Sequence, residues 1–196
     1  MAARLDDTAL DLMFREARTR NGWEPEPISE ETLREIYELT KLGPTAANST
    51  PARFVFCLSE DAKEKLAAVA SPGNQAKIRQ APCTVIIGYD MGFPATMPKL
   101  FPHVPTINKG MTDPAANEVM ALRNSSLQGG YFIMAARALG LDCGPMSGFD
   151  NAGLDAAFFA GTKIKSNFIC SIGKGNDTNL FGRLPRHTFE EACQIL

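Results

Sequence analysis

Leu10, Met13, Phe14 and Ala17 recur at helical spacing behind Asp6 and Asp7, either of which can cap a helix. A second helix begins after Ser29 with acidic residues at its head. It carries its apolar stripe on Leu33, Ile36, Tyr37 and Thr40, and stops at Gly43-Pro44. Arg53–Leu58, rich in Phe and Val, predicts a strand. Ser59 caps a helix through Val69, Ser71-Pro72-Gly73 breaks it, and a short helical piece begins at Asn74. Cys83–Tyr89 is apolar without alternation, which predicts a central strand covered on both faces. Asp90 to Thr112 shows no period and holds Pro94, Pro98, Pro102 and Pro105, so it reads as a long irregular excursion, the natural place for substrate selection.

Asp113-Pro114 then opens the longest helix, which runs to Leu139 and stops at Gly140. Its middle is small and polar, and Tyr131–Ala138 is apolar nearly all round, as in a buried spine. The pair Gly129-Gly130 costs about 1 kcal/mol per Gly in helix propensity. Close packing against another helix, within the chain or in a second subunit, explains it. Leu141–Cys143 predicts a short strand, Gly144–Phe149 a tight loop, Asp150 the cap of a helix to Phe159, and Lys165–Gly173 a further strand. The order of elements predicts an α+β fold, an α/β sandwich around a mixed sheet flanked by helices, as a single domain over residues 1–196.

Hydrophobic content of 44%, charged content of 21% and a net charge of −2 describe an ordinary globular chain with no electrostatic case for nucleic acid or acidic lipid. Met1 to Ala9 has no apolar signal core, and no run approaches a membrane span, so no membrane role is expected. The five cysteines are odd in number and widely spaced, with no CxxC, and the two histidines lie far apart. That excludes a disulfide framework and a zinc motif, and fits a reduced, cytoplasmic compartment. Gly144-x-x-Ser147-Gly148 is not the nucleophile elbow of hydrolases. Tyr37-xxx-Lys41 matches the dehydrogenase pair only superficially, because no Gly-rich nucleotide turn precedes it. Tyr37 reads as core and Lys41 as surface.

The remaining candidates each have a structural explanation beside the chemical one. Arg18-Thr19-Arg20 can bind a phosphate through forked guanidinium donors and a hydroxyl, or be a solvated basic helix end. Pro44–Pro51, rich in small hydrogen-bonding residues, suits a flat polar ring, or is an ordinary helix-to-strand connection. Asn74 and Lys77 share one helix face and can hold a carbonyl-rich ring, or form a solvated turn. Gly144–Gly148 lets backbone approach a ligand. Arg183 and Arg186 can reach a phosphate, or lie at the surface.

Their order along the chain resembles the FMN-dependent nitroreductase superfamily over almost its whole length. The family's Arg-x-Ser-x-Arg/Lys, Pro-Ser-x-x-Asn-x-x-Pro, Asn-x-x-Lys, Gly-x-x-x-Gly-Phe and Arg-Leu-Pro stretches correspond here to Arg18-Thr19-Arg20, Pro44–Pro51, Asn74–Lys77, Gly144–Phe149 and Arg183-Leu184-Pro185. In one register the family's first Arg falls on Ala17 and its last basic residue on Asn21, and Ala46 replaces a common Ser. The strings GPTAANSTPARFVF, RNSSLQGGYFIMAARALGLDCGPMSGFD and AGTKIKSNFICSIGKG are similar to the branch that contains the malonic semialdehyde reductase of pyrimidine breakdown.

This resemblance implies an intertwined homodimer with two FMN sites at its interface. It assigns Arg18, Thr19, Arg20 and Arg183 to the FMN phosphate, and Asn74 and Lys77 to the ribityl and pyrimidine edge. Pro145, Met146, Ser147 and Gly148 would pack on one side of the ring, with Pro44, Thr45, Ala46 and Asn48 arriving from the other subunit. The expected activity is NAD(P)H oxidation with reduction of a small semialdehyde, Lys77 acting as electrostatic support and no side chain as certain catalyst. Two alternatives stand beside it: a broad nitro, quinone or enone reductase, and a flavin-binding carrier without turnover.

Overall fold

A computed structural model describes residues 4–196; Met1–Ala3, the start of the stretch read above for a signal core, lie outside it. Six strands form two sheets. The main one is four-stranded in the order β2 (Ala52–Cys57), β3 (Cys83–Asp90), β5 (Ile164–Gly173), β4 (Asp142–Met146), and every neighbouring pair in it is antiparallel. A parallel bridge between Thr19 and Cys143 adds the mixed element at the β4 edge. A small ribbon pairs β1 (Gly22–Trp23) with β6 (Gly175–Asn176).

β3 is central, as its continuous apolar run predicts, and its alternate residues feed two cores. Cys83, Val85 and Ile87 join Phe132, Ala136 and Ile36 on one face, where α2 (Glu30–Thr40) and α6 (Pro114–Ala138) lie. Ile86 joins Leu66, Ile78 and Leu154 on the other, covered by α3 (Glu60–Ala67), α4 (Pro72–Gln80) and α7 (Asn151–Phe158). Each of these fully buried aliphatic side chains contributes about 1.5–3 kcal/mol by leaving water. Two polar groups that enter these cores are paired, whereas Ser49 Oγ and Trp23 Nε1 are buried without a hydrogen-bond partner among the described residues. The hydroxyls of Thr84 and Ser171 meet at 2.8 Å across β3 and β5. Lys63 is buried but donates to the carbonyls of Arg79 and Ala81 at the end of α4 and pairs with Glu60.

Local chemistry sets the helix starts. Asp6, Ser29, Ser59, Asp113 and Asp150 each accept a backbone N–H in the first turn of the helix they precede. The first helix, α1 (Asp7–Leu10), passes into a π turn at Asp11–Arg15 and has no buried residue, so its apolar positions do not form a core stripe within the chain. Tyr37 is also half exposed rather than core, its ring edge-on to Phe54 at 6.1 Å. α2 ends at Thr40 with Lys41 as its C-cap, short of the stop expected at Gly43, and Gly43 lies beyond it where a side chain has no room. A Cβ there would sit 2.6 Å from the Tyr131 ring.

The 90–112 excursion is partly folded. Two short 3₁₀ turns flank α5 (Met97–Leu100), and Phe93 and Met97 are buried with Tyr89 and Ala121 in a third apolar cluster. β4 runs through Gly144 and Pro145, which the Gly-Pro pattern placed in a loop. Pro145 is tolerated because β4 is an edge strand, and Gly144 because a Cβ would meet the Arg20 carbonyl at 2.6 Å. The chain ends in α8 (Phe189–Ala192), closed by a capping box of Thr188 and Glu191.

Candidate active site

Three groups of the predicted residues occupy three places. The first is a pocket of about 430 Å³ at the β4 edge, lined by Arg18, Thr19, Asn21, Arg137, Arg183 and Arg186 together with apolar side chains such as Phe14 and Phe181. Its walls are two irregular segments, 15–21 and 180–186, and the last turn of α6. The segments are stitched together by side chains donating to carbonyls. Arg18 Nη2 donates to Phe181 O, Asn21 Nδ2 to Asn179 O at 3.1 Å, and Arg183 Nη2 to the carbonyls of Arg15 and Ala17. Four guanidinium groups, a hydroxyl and an amide line this pocket with no carboxylate among them. That donor set matches a phosphate.

Arg20 does not join it. The Thr19–Cys143 bridge and the Arg20 N–H to Cys143 O bond lay this segment along β4 and turn the Arg20 side chain to the opposite side. There its Nη1 meets Asp177 Oδ1 at 2.6 Å and its Nε lies 3.5 Å from Asp142 Oδ1. Asn21 lines the pocket in its place, as the alternative register has it.

The second group sits where β4 ends. Asn74 Nδ2 donates to Gly148 O at 3.0 Å, and Lys77 Nζ to Asn74 Oδ1 at 3.4 Å. The Ser71 N–H donates to the same Gly148 carbonyl at 2.9 Å. A Cβ on Gly148 would fall 2.8 Å from Asn74 Nδ2, so this turn closes only around glycine. Asn74 and Lys77 are half buried and Ser147 is exposed. Pro145 and Met146 lie in β4 itself, between the basic pocket and this turn. From Cys143 to Met146 the strand covers about 10 Å, so one elongated ligand can reach from the arginines to Asn74 and Lys77.

The third group, Pro44, Thr45, Ala46 and Asn48, stands apart. Its backbone is strained: Ala47, Asn48 and Thr50 have φ of 49°, 52° and 36°. Such non-glycine conformations cost roughly 1–3 kcal/mol each. Four bonds hold them: Ala46 N–H to Asn124 Oδ1 at 2.7 Å, Ala52 N–H to Gln128 Oε1 at 2.9 Å, Thr50 N–H to Thr45 Oγ1 at 3.1 Å, and Asn48 Nδ2 to Leu100 O at 2.8 Å. Asn124 precedes Arg137 by 13 residues on α6, which at helical rise is about 20 Å. The loop therefore lies far from the basic pocket of its own chain, with Pro44, Ala46 and Asn48 exposed.

No cysteine lines the basic pocket. Desolvation pushes the Cys57 thiol up to about 11 and that of Cys83 to about 12, and a hydrogen bond with Cys143 followed by burial raises Cys170 well above its ordinary value. Neutral thiols of this kind are poor nucleophiles. Among the described residues no group of three or more His, Cys, Asp or Glu side chains is placed to hold a metal ion. Nor is any helix there long and apolar enough to cross a membrane.

Residues 15–174 match the model of the nitroreductase family. The chain belongs to the nitroreductase family. Membership makes it an FMN-dependent oxidoreductase. This nitroreductase is 64% identical over 194 residues to a protein of Caulobacter vibrioides (strain NA1000 / CB15N) named as a candidate NADH dehydrogenase/NAD(P)H nitroreductase, the match covering 99% of this chain and 100% of the other. Among solved structures, a protein of Exiguobacterium sibiricum assigned as a nitroreductase and solved with FMN aligns with a TM-score of 0.80 at 21% identity, over 94% of this chain and 96% of its own. CLA-ER, an enone reductase of gut-bacterial fatty acid saturation, aligns at 0.85 and 18% identity over 98% and 100%. At these identities the two structures speak for the nitroreductase fold.

Sequence reasoning missed Arg137, Asn124 and Gln128. A basic residue in the last turn of a long helix is what the helix dipole favours, so Arg137 carried no separate signal. Asn124 and Gln128 stood out only as polar breaks in an apolar helix. Their partners, the Ala46 and Ala52 N–H groups, are 78 and 76 residues away.

Proposed function

We propose that the chain is one FMN-binding domain that works as a homodimer, oxidises NADH or NADPH, and reduces a small semialdehyde such as malonic semialdehyde to 3-hydroxypropionate. The observation that carries the cofactor site is the acid-free pocket of four arginines at one end of β4 with the Asn74–Lys77–Gly148 turn at the other. Arg18, Thr19, Asn21 and Arg183 would hold the phosphate, and Asn74 and Lys77 the polar edge of the ring. FMN held there would supply hydride-relay chemistry between the nicotinamide and a second substrate, for which the side chains themselves have no group.

The side chains supply position and charge. The bond from Asn74 Nδ2 to Gly148 O fixes the amide so that Oδ1 faces Lys77, and the Lys77 ammonium places a full positive charge beside it. A fixed cation at that edge favours the state in which negative charge has built up on the ring. Met146 and Pro145 offer an apolar strand surface between the two polar ends.

Two features support the dimer. Val119, Leu122, Leu127 and Tyr131 leave an exposed apolar face on α6, beside which Gly130 opens to free space. The strained 44–50 loop presents exposed groups that its own pocket cannot use, and a second copy can bring that loop to the first copy's ring site. A broad nitro, quinone or enone reductase fits the same geometry, since nothing in the pocket selects the acceptor. Membership of an oxidoreductase family speaks against a flavin carrier without turnover.

The deciding experiment is an anaerobic spectral titration. The purified protein is expected to be yellow, to bleach with NADH or NADPH, and to recover with malonic semialdehyde. A kcat/KM for malonic semialdehyde within a few-fold of that for nitrofurazone or menadione establishes the broad reading. Bleaching slower than minutes with both nicotinamides establishes the carrier.

A further inference from the structure

We propose that Arg137 is a further phosphate-binding residue of the basic pocket, adding to its selection of a phosphorylated flavin over the dephosphorylated form. This rests on the FMN reading above and extends it to a residue outside the motifs that led there.

Arg18, Arg183 and Arg186 all stand on the irregular 15–21 and 180–186 segments. Each already spends donors on carbonyls: Arg18 on Phe181, Arg183 on Arg15 and Ala17, and Arg186 on Leu184 and Pro185. Arg137 differs in what carries it. It lies in the last turn of the 25-residue α6, whose Phe132, Ala135 and Ala136 are buried in the main core, so its backbone is fixed by the body of the fold. Its side chain is half buried, and Nη1 donates to Met13 O at 3.1 Å. A guanidinium has five N–H donors, so that single bond orients the fork and leaves other donors of this pocket-lining side chain unspent.

The charge balance points the same way. A phosphate monoester carries about −1.5 to −2 at neutral pH. A pocket without carboxylates leaves its cations nothing else of opposite charge to pair with. A preorganised cation loses least on binding, and Arg137 is the preorganised one. The simpler account of Arg137, a cation that complements the α6 dipole and ties down Met13, predicts equal effects on any ligand of the pocket.

The test uses full-length apoprotein titrated with FMN and with riboflavin by flavin fluorescence, for the wild type, Arg137→Gln and Arg137→Lys. Arg137→Gln is expected to weaken FMN by roughly tenfold or more, the worth of one charge-assisted hydrogen bond, and to leave riboflavin unchanged. Arg137→Lys keeps the charge and the long stem but loses the fork, and should fall between. FMN and riboflavin weakened in parallel, or FMN unaffected, overturns the proposal. If Arg137→Gln does not fold, the FMN-to-riboflavin ratio of Arg137→Lys decides alone. A wild type that binds both flavins equally, or neither, instead overturns the placement of the FMN phosphate in this pocket.

Discussion

Arg18 and Arg20 are two residues apart and carry the same group, yet the fold gives them different work. Arg18 lines the basic pocket, whereas Arg20 lies between Asp142 and Asp177 and covers Gly175 with its aliphatic stem. The composition Arg-Thr-Arg-Asn is compatible with an anion site as well as with a solvated basic helix end. It does not say which side chain turns inward, because that is set by the Thr19–Cys143 bridge to a strand more than a hundred residues later. Arg18→Gln should therefore lower FMN affinity on the order of tenfold with little change in thermal stability. Arg20→Gln should leave the ratio of FMN to riboflavin affinity intact and cost about 1 kcal/mol of folding stability, read from urea denaturation. The opposite pattern would mean that Arg20 is the phosphate ligand and the register has been misassigned. Asn74 and Lys77, by contrast, were legible from spacing alone, since a three-residue step on a helix fixes their common face without tertiary help.

At the scale of elements, helix caps and the central strand could be read from local pattern, and of β4 only its start: the short strand expected at Leu141–Cys143 is the first part of Asp142–Met146. Gly-Pro reads as a turn wherever it is judged locally; pairing with β5, Gly144 opposite Ser171 and Pro145 opposite Cys170, makes it strand, and the close pass of the Arg20 carbonyl explains why 144 is glycine. The long helix shows both outcomes at adjacent residues. Gly129 and Gly130 look equivalent in sequence, but a Cβ at 129 would meet Phe168 of β5 at 2.4 Å, whereas nothing lies within 4 Å of one at 130. Only Gly130 thus keeps the role of admitting a second helix, and Gly129 serves helix-to-sheet packing. Gly129→Ala is expected to destabilise by about 1–2 kcal/mol, overpacking outweighing the helix-propensity gain. Gly130→Leu should gain about 1 kcal/mol of helix propensity in the isolated chain while shifting the dimer towards monomer, measured by light scattering across a dilution series. A Gly130→Leu protein that dimerises as tightly as the wild type would move the subunit contact off this face.

The molecule as a whole carries one buried cysteine on each strand of its main sheet: Cys57 on β2, Cys83 on β3, Cys143 on β4 and Cys170 on β5. Cys57, Cys83 and Cys170 sit in apolar strand-like runs of the sequence, where a free thiol packs as a small hydrophobe, as all three do here. Their titration depends on a burial that only the assembled three-layer fold creates. Desolvation holds Cys57 at about 11 and Cys83 at about 12, and Cys170 is raised by its hydrogen bond with Cys143 and by burial. An unfolded thiol ionises near 8.5. Below that pH both states are protonated and the contribution of these groups to stability is complete. Above it the unfolded chain loses protons that the folded chain keeps, so the unfolded state is favoured until the folded thiols ionise in turn at about 11 to 12. Each such thiol adds up to about 1.4 kcal/mol per pH unit to the slope. Stability from urea denaturation under reductant should thus be flat with respect to these groups from pH 6 to 8 and fall steeply between pH 9 and 10.5. Cys83→Ala leaves a cavity and lowers stability at every pH, but it should make the alkaline slope shallower by one thiol's worth. An unchanged slope in that variant would mean that the Cys83 thiol ionises as readily in the folded sheet as in the open chain, and that the centre of the fold admits water.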